Sequence, residues 1–218
     1  MSDTHQQRPQ QPSMLAFATA LPNLCSLAGL SSAMLGIYAA IGGHFPAALI
    51  GILWAVVFDW TDGMIARAIQ GRSEHDRAFG AQLDSLIDIV SFGVFPAVFL
   101  LSYGGYNPWF LPGAFLSIAA AAIRLSYFNI FGLVDSHTYR GLALDNNVLI
   151  LAFVFLFEGF FHPSIFSFVL YALLLVLLVL NTSSLRTPKL AGNWFYGLLA
   201  YAAVLTGIYG WMQWAVIS

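Results

Sequence analysis

Charged side chains are scarce in this sequence, making up 8% of its 218 residues against 59% hydrophobic, and the mean hydropathy is +0.78. A soluble domain carries about 25% charged residues, so a fully water-exposed globular surface is excluded. Cysteine is nearly missing as well. The single Cys25 has no intrachain partner, which rules out a disulfide framework and a zinc site of paired thiolates. The net charge of −2 comes with no basic patch interleaved with aromatics, and nucleic-acid binding is set aside on that ground. Met1–Ser13 lacks the compact apolar segment behind a basic start that a cleaved leader needs. Rich in Gln and Pro, residues 1–13 read as a disordered cytoplasmic tail ahead of a single membrane domain, 14–218.

What the chain has in quantity is apolar sequence of helical length. Crossing a hydrocarbon core takes about 20 such residues, and stretches of that order recur at 16–42, 46–70, 79–103, 108–130, 146–161, 163–181 and 193–216. The expected fold is therefore all-α, a polytopic transmembrane bundle of about seven spans. Pro22 interrupts the first and the fifth is short, so the count runs from six to eight. With seven spans, Arg8, Arg67, Arg72, Arg77, Arg124, Arg140, Arg186 and Lys189 all fall on one side. The positive-inside rule makes that side cytoplasmic and puts the C-terminus across the membrane. Nearly all the acids share the cytoplasmic side.

The segment Phe58–Gly93 concentrates the chemistry. Asp59, Asp62, Gly63, Ala66 and Arg67 follow i, i+3, i+4, i+7, i+8 spacing, one face of the second long helix near its cytoplasmic end. Asp84 and Asp88 are i, i+4 partners in the first turns of the third, after a loop at Gln70–Phe79. If these helices pack antiparallel, the two acidic pairs meet at similar depth. A carboxylate inside a membrane span costs on the order of 2.5–3.5 kcal/mol, so four together need compensation. Divalent cations supply it, and an oxygen-only ligand set selects Mg²⁺ or Mn²⁺, in two ions. Buried ion pairs with Arg67, Arg72 and Arg77 are a second reading. A third is a cation-coupled transporter, which would spread its acids along a path and repeat its motif; here the acids sit at one end and the motif occurs once.

The string D-x2-D-G-x2-A-R, a spacer, then G-x3-D-x3-D, carried by Asp59, Asp62, Gly63, Ala66, Arg67, Gly80, Asp84 and Asp88, resembles the signature of the CDP-alcohol phosphotransferases. The spacer Ala68–Phe79 is longer than is usual there. LDSLIDIVSFGVFP after the spacer is similar to the phosphatidylserine synthase branch, as are, more weakly, Arg124-Leu125 with Phe128-Asn129 and Pro22-Asn23. Tyr139–Asp145 lacks the prolines of that branch.

The resemblance implies a six-helix core, commonly in a homodimer, in the cytoplasmic membrane of a prokaryote with its active site facing the cytoplasm. It implies transfer of a phosphatidyl group from CDP-diacylglycerol to a small alcohol, serine first, with inositol phosphate, glycerol phosphate or choline as alternatives. It also implies that Asp59, Asp62, Asp84 and Asp88 hold two metal ions and that Asp88 is the general base. Asn23, Asp62, Gly63, Ala66, Arg67 and Gly80 would meet the CDP-lipid. For a serine zwitterion, Arg124, Arg140, Asn129 and Asn147 are the cytoplasmic-side candidates.

Overall fold

The computed structural model describes residues 13–135, 138–190 and 192–217. The tail assigned to 1–13, with Arg8, lies outside the described residues except for Ser13. Helix α1 (Met14–Ala18) is a single short turn-and-a-half, and α2 (Leu21–Ile41) starts beyond it with Pro22 in its first turn, where a missing N–H costs nothing. α3 (Phe45–Ala68) returns antiparallel, and α4 (Glu74–Asp88) runs through a π-helical segment at Ile89–Val94 into α5 (Phe95–Tyr103). α6 (Leu111–Phe131), α7 (Asp145–Phe155), α8 (Pro163–Thr182) and α9 (Trp194–Ile217) complete the bundle. Strands β1 (Thr138–Arg140) and β2 (Arg186–Pro188) pair antiparallel between the loops that follow α6 and α8.

Among the described residues six helices are long and apolar enough to cross a membrane, and the chain is an integral membrane protein. The fifth expected span is the eleven-residue α7 followed by a 3₁₀ turn at Glu158–Phe160. At 1.5 Å per residue α7 alone covers about 16 Å. Helix and turn are tied to the bundle at both ends: Trp60 Nε1 donates to Asp145 Oδ2 at 2.9 Å at the start of α7, and Tyr103 OH donates to Glu158 Oε1 at 2.9 Å in the turn.

Two devices hold the helices. α2 and α3 touch through backbone: a Cβ on Gly51 would lie 2.8 Å from Gly36 N and 2.9 Å from Ser32 O, and Ser32 Oγ donates to Gly51 O at 2.7 Å. At the end of the bundle near Phe45, rings of Phe45, Phe99, Tyr103, Phe155 and Phe166 interlock at centroid distances of 4.9–5.8 Å, edge-to-face geometry that adds to their burial. Gly51→Val is expected to destabilise the protein by about 3 kcal/mol, because the clash is with backbone that cannot rotate away. An unchanged unfolding midpoint in detergent would show that α2 and α3 can separate freely.

The third span begins earlier than expected. Ser73 and Asp76 form a capping box, Ser73 Oγ accepting from Asp76 N at 3.1 Å and Asp76 Oδ2 from Ser73 N at 3.0 Å, so helix starts at Glu74. The loop assigned to Gln70–Phe79 shrinks to Ile69–Ser73, and the second half of the long spacer becomes additional helix of α4. Asp84 and Asp88 consequently sit two to four turns inside α4 rather than in its first turns.

Candidate active site

α3 and α4 both pack on α2, and their acidic residues converge on one cavity. Carboxylate oxygens of Asp59, Asp84 and Asp88 all lie within 4.8 Å of one another, and each residue is half-buried. Asp88 Oδ1 is buried with no hydrogen-bond partner. Asp62, one turn beyond Asp59 and itself buried, accepts a short hydrogen bond from Ser26 Oγ of α2. The like charges of this group sit too close to be held apart by water. A donor set made only of oxygens, with one oxygen left unsatisfied in a buried position, fits a hard divalent cation.

The four aspartates open into one cavity of about 300 Å³, with Gly63 and Arg67 on α3, Arg124, Phe128 and Asn129 on α6, and Tyr139, Asp145 and Lys189 on the loop side. Arg124 is buried; its Nε donates to Leu142 O at 2.7 Å, and its guanidinium lies over the Phe128 and Tyr139 rings at 5.8 and 5.7 Å. Asn129 accepts from Ser85 Oγ at 3.1 Å. Gly63 leaves Arg67 space to fold back: a Cβ there would stand 3.4 Å from Arg67 Nη1. Burial, with the Asp145 carboxylate nearby, pushes the Tyr139 phenol up to about 12, so it faces the cavity as a neutral hydroxyl.

Five of the expected contact residues do not line this cavity. Asn23 donates to Phe17 O at 2.8 Å and braces α1, while Gly80 permits close approach, its Cβ position lying 3.2 Å from Asn23 Oδ1 and 2.9 Å from Arg72 Nη2. Ala66 is not among the residues lining the cavity. Arg140 lies at the surface: on β1 it donates to Tyr127 OH and Ser184 Oγ, both at 3.1 Å, because strand alternation turns it away from Tyr139. Asn147 is buried and exchanges amide hydrogen bonds with Asn181 of α8 at 2.9 and 3.0 Å.

Sequence reasoning missed Asp145, Ser26, Tyr139 and Lys189. Asp145 had a signal, being a lone acid at the head of an apolar run. The Trp60 indole N–H holds Asp145.

Comparison with known proteins gives a single direction. A family profile described as CDP-alcohol phosphatidyltransferase matches residues 19–217. Archaetidylserine synthase of Methanothermobacter thermautotrophicus is 33% identical over 175 residues, 79% of this chain and 71% of that protein. The CDP-diacylglycerol–serine O-phosphatidyltransferase of Methanocaldococcus jannaschii is 31% identical over 155 residues, 71% of this chain and 70% of its own length. The like-named protein of Helicobacter pylori J99 is 29% identical over 144 residues, which is 65% of this chain and 59% of that protein.

Proposed function

This chain belongs to the CDP-alcohol phosphatidyltransferase family, and on that premise we propose that it transfers the phosphatidyl group of CDP-diacylglycerol to the hydroxyl of serine, releasing CMP and forming phosphatidylserine. The observation that supports the chemistry most is the convergence of Asp59, Asp84 and Asp88 beside an unsatisfied Asp88 oxygen. The serine assignment is supported by the relatives' names.

Asp59, Asp62, Asp84 and Asp88 would hold two Mg²⁺ or Mn²⁺ ions, whose bound charge offsets that of the pyrophosphate and of the departing oxygen. Ser26 fixes the rotamer of Asp62. Arg67, with Gly63 leaving it room, faces the CDP moiety. Asp88 takes the proton from the serine hydroxyl as its oxygen bonds to the phosphatidyl phosphorus and the bond from that phosphorus to the CMP oxygen breaks. Arg124 and Asn129 receive the acceptor. Arg140, Asn147, Asn23 and Gly80 act through the fold instead. Residues 14–218 form one domain in this reading, and the segments 67–77, 124–140 and 186–189 that carry the described lysines and arginines face the cytoplasm of a prokaryotic cell.

A transporter would distribute acids between the two ends of the bundle. Here Glu158 alone among the described acids sits near the Phe45 end, bonded to Tyr103. Purified protein supplied with CDP-diacylglycerol and Mn²⁺ is expected to release CMP when serine is added. Release driven only by inositol phosphate, glycerol phosphate or choline would defeat the serine assignment.

A further inference from the structure

The cavity contains one carboxylate that the converging aspartates leave unexplained. Asp145 lines the same cavity as Asp59, Asp84 and Asp88 but lies outside the group whose oxygens come within 4.8 Å of one another. It is held firmly. Trp60 Nε1 donates to its Oδ2 at 2.9 Å and Asn146 Nδ2 to its Oδ1 at 3.4 Å, both neutral donors that fix its direction without cancelling its charge. Its basic neighbour on the same cavity is Arg124, which is anchored separately through Nε on Leu142 O and stacked on Phe128 and Tyr139. Beyond the acidic trio, the cavity therefore presents an anchored anion and an anchored cation that interact electrostatically.

We propose that Asp145 receives the protonated amine of the acceptor, so that the cavity selects an amino alcohol over a phosphorylated one. An α-amino acid carries its ammonium and carboxylate on one carbon, and Asp145 and Arg124 match that pair in sign. A phosphorylated acceptor has no ammonium for Asp145 to meet, and a phosphate drawn to Arg124, the only buried arginine among the described residues, would come under the repulsion of the Asp145 carboxylate that interacts with it. The assignment rests on the serine-transfer reading above and is tested so that the two fail separately.

The test uses the full-length protein in lipid nanodiscs with CDP-diacylglycerol and Mn²⁺, following CMP release as serine or 3-hydroxypropionate is varied; the latter is serine without its amine. Asp145→Asn keeps the size of the side chain and can still accept from Trp60. It is expected to raise the KM for serine about 10- to 100-fold, the loss of one charge-assisted hydrogen bond, and to leave the KM for CDP-diacylglycerol unchanged. The preference of the wild type for serine over 3-hydroxypropionate should shrink by the same factor, and Asp145→Glu should restore part of it. An unchanged serine KM, an unchanged preference, or a fall in kcat alone would overturn the assignment. Wild-type activity with ethanolamine but not serine would sink the serine reading and leave the amine site standing. Activity with glycerol phosphate alone would sink both.

Discussion

Asp88→Asn is expected to lower turnover by at least about 10³-fold while the protein folds and still binds CDP-diacylglycerol. The magnitude joins the roughly 10²- to 10⁴-fold contribution of a general base to the loss of one negative ligand from the acidic group. Asparagine preserves shape, so the helix α4 and its continuation at Ile89 have no reason to move. Its amide cannot accept the hydroxyl proton, however, and it cannot offset the charge of a cation. A second consequence separates this account from a packing role. Asp88 stands against Asp59 and Asp84 within 4.8 Å, so without metal the wild type stores like-charge repulsion that the amide removes. Metal-free Asp88→Asn should accordingly unfold at a temperature equal to or above that of the wild type. A mutant with near-normal rates, or one that is inactive only because it is unfolded, would remove Asp88 from its role as base.

Asp84→Ala is expected to abolish turnover and, with it, the stabilisation of the protein by divalent metal. A ligand present at 100 times its Kd stabilises the folded state by about 2.7 kcal/mol, which Mn²⁺ should add to the wild type and not to the mutant. Alanine is a good helix former and Asp84 sits mid-helix in α4, so loss of fold is not the expected cause. Thermal unfolding of both proteins with and without Mn²⁺ checks the difference. Equal metal-induced shifts in the two would place the ions elsewhere.

The acidic faces were legible in the sequence because spacing decides them. Asp59 with Asp62 and Asp84 with Asp88 each repeat at helical intervals. The bounds of α3, α6, α8 and α9 followed from the apolar runs to within about three residues. What spacing could not show was the depth at which separate segments meet. Asp145 and Asp59 are far apart in sequence and reach one cavity only because α7 crosses the bundle with its first residue against Trp60. Asn147, one residue from a cavity-lining asparagine, is turned instead toward Asn181 of α8, a difference of one helical step that no local pattern records. The ribbon of β1 and β2 joins segments more than forty residues apart, and its register sends Tyr139 to the cavity and Arg140 to the surface. Likewise the start of α4 turned on the Ser73–Asp76 capping box, a polar signal that was read as loop.

The most direct measurement is a Mn²⁺ titration of the purified protein followed by electron paramagnetic resonance. Two ions per chain are expected, with spin–spin coupling of the kind given by metals about 3.5–4 Å apart, and both signals should vanish in Asp84→Ala. Absence of tight Mn²⁺ binding to the wild type, or binding that Asp84→Ala leaves intact, would contradict the claim that α3 and α4 bring their carboxylates together to hold cations.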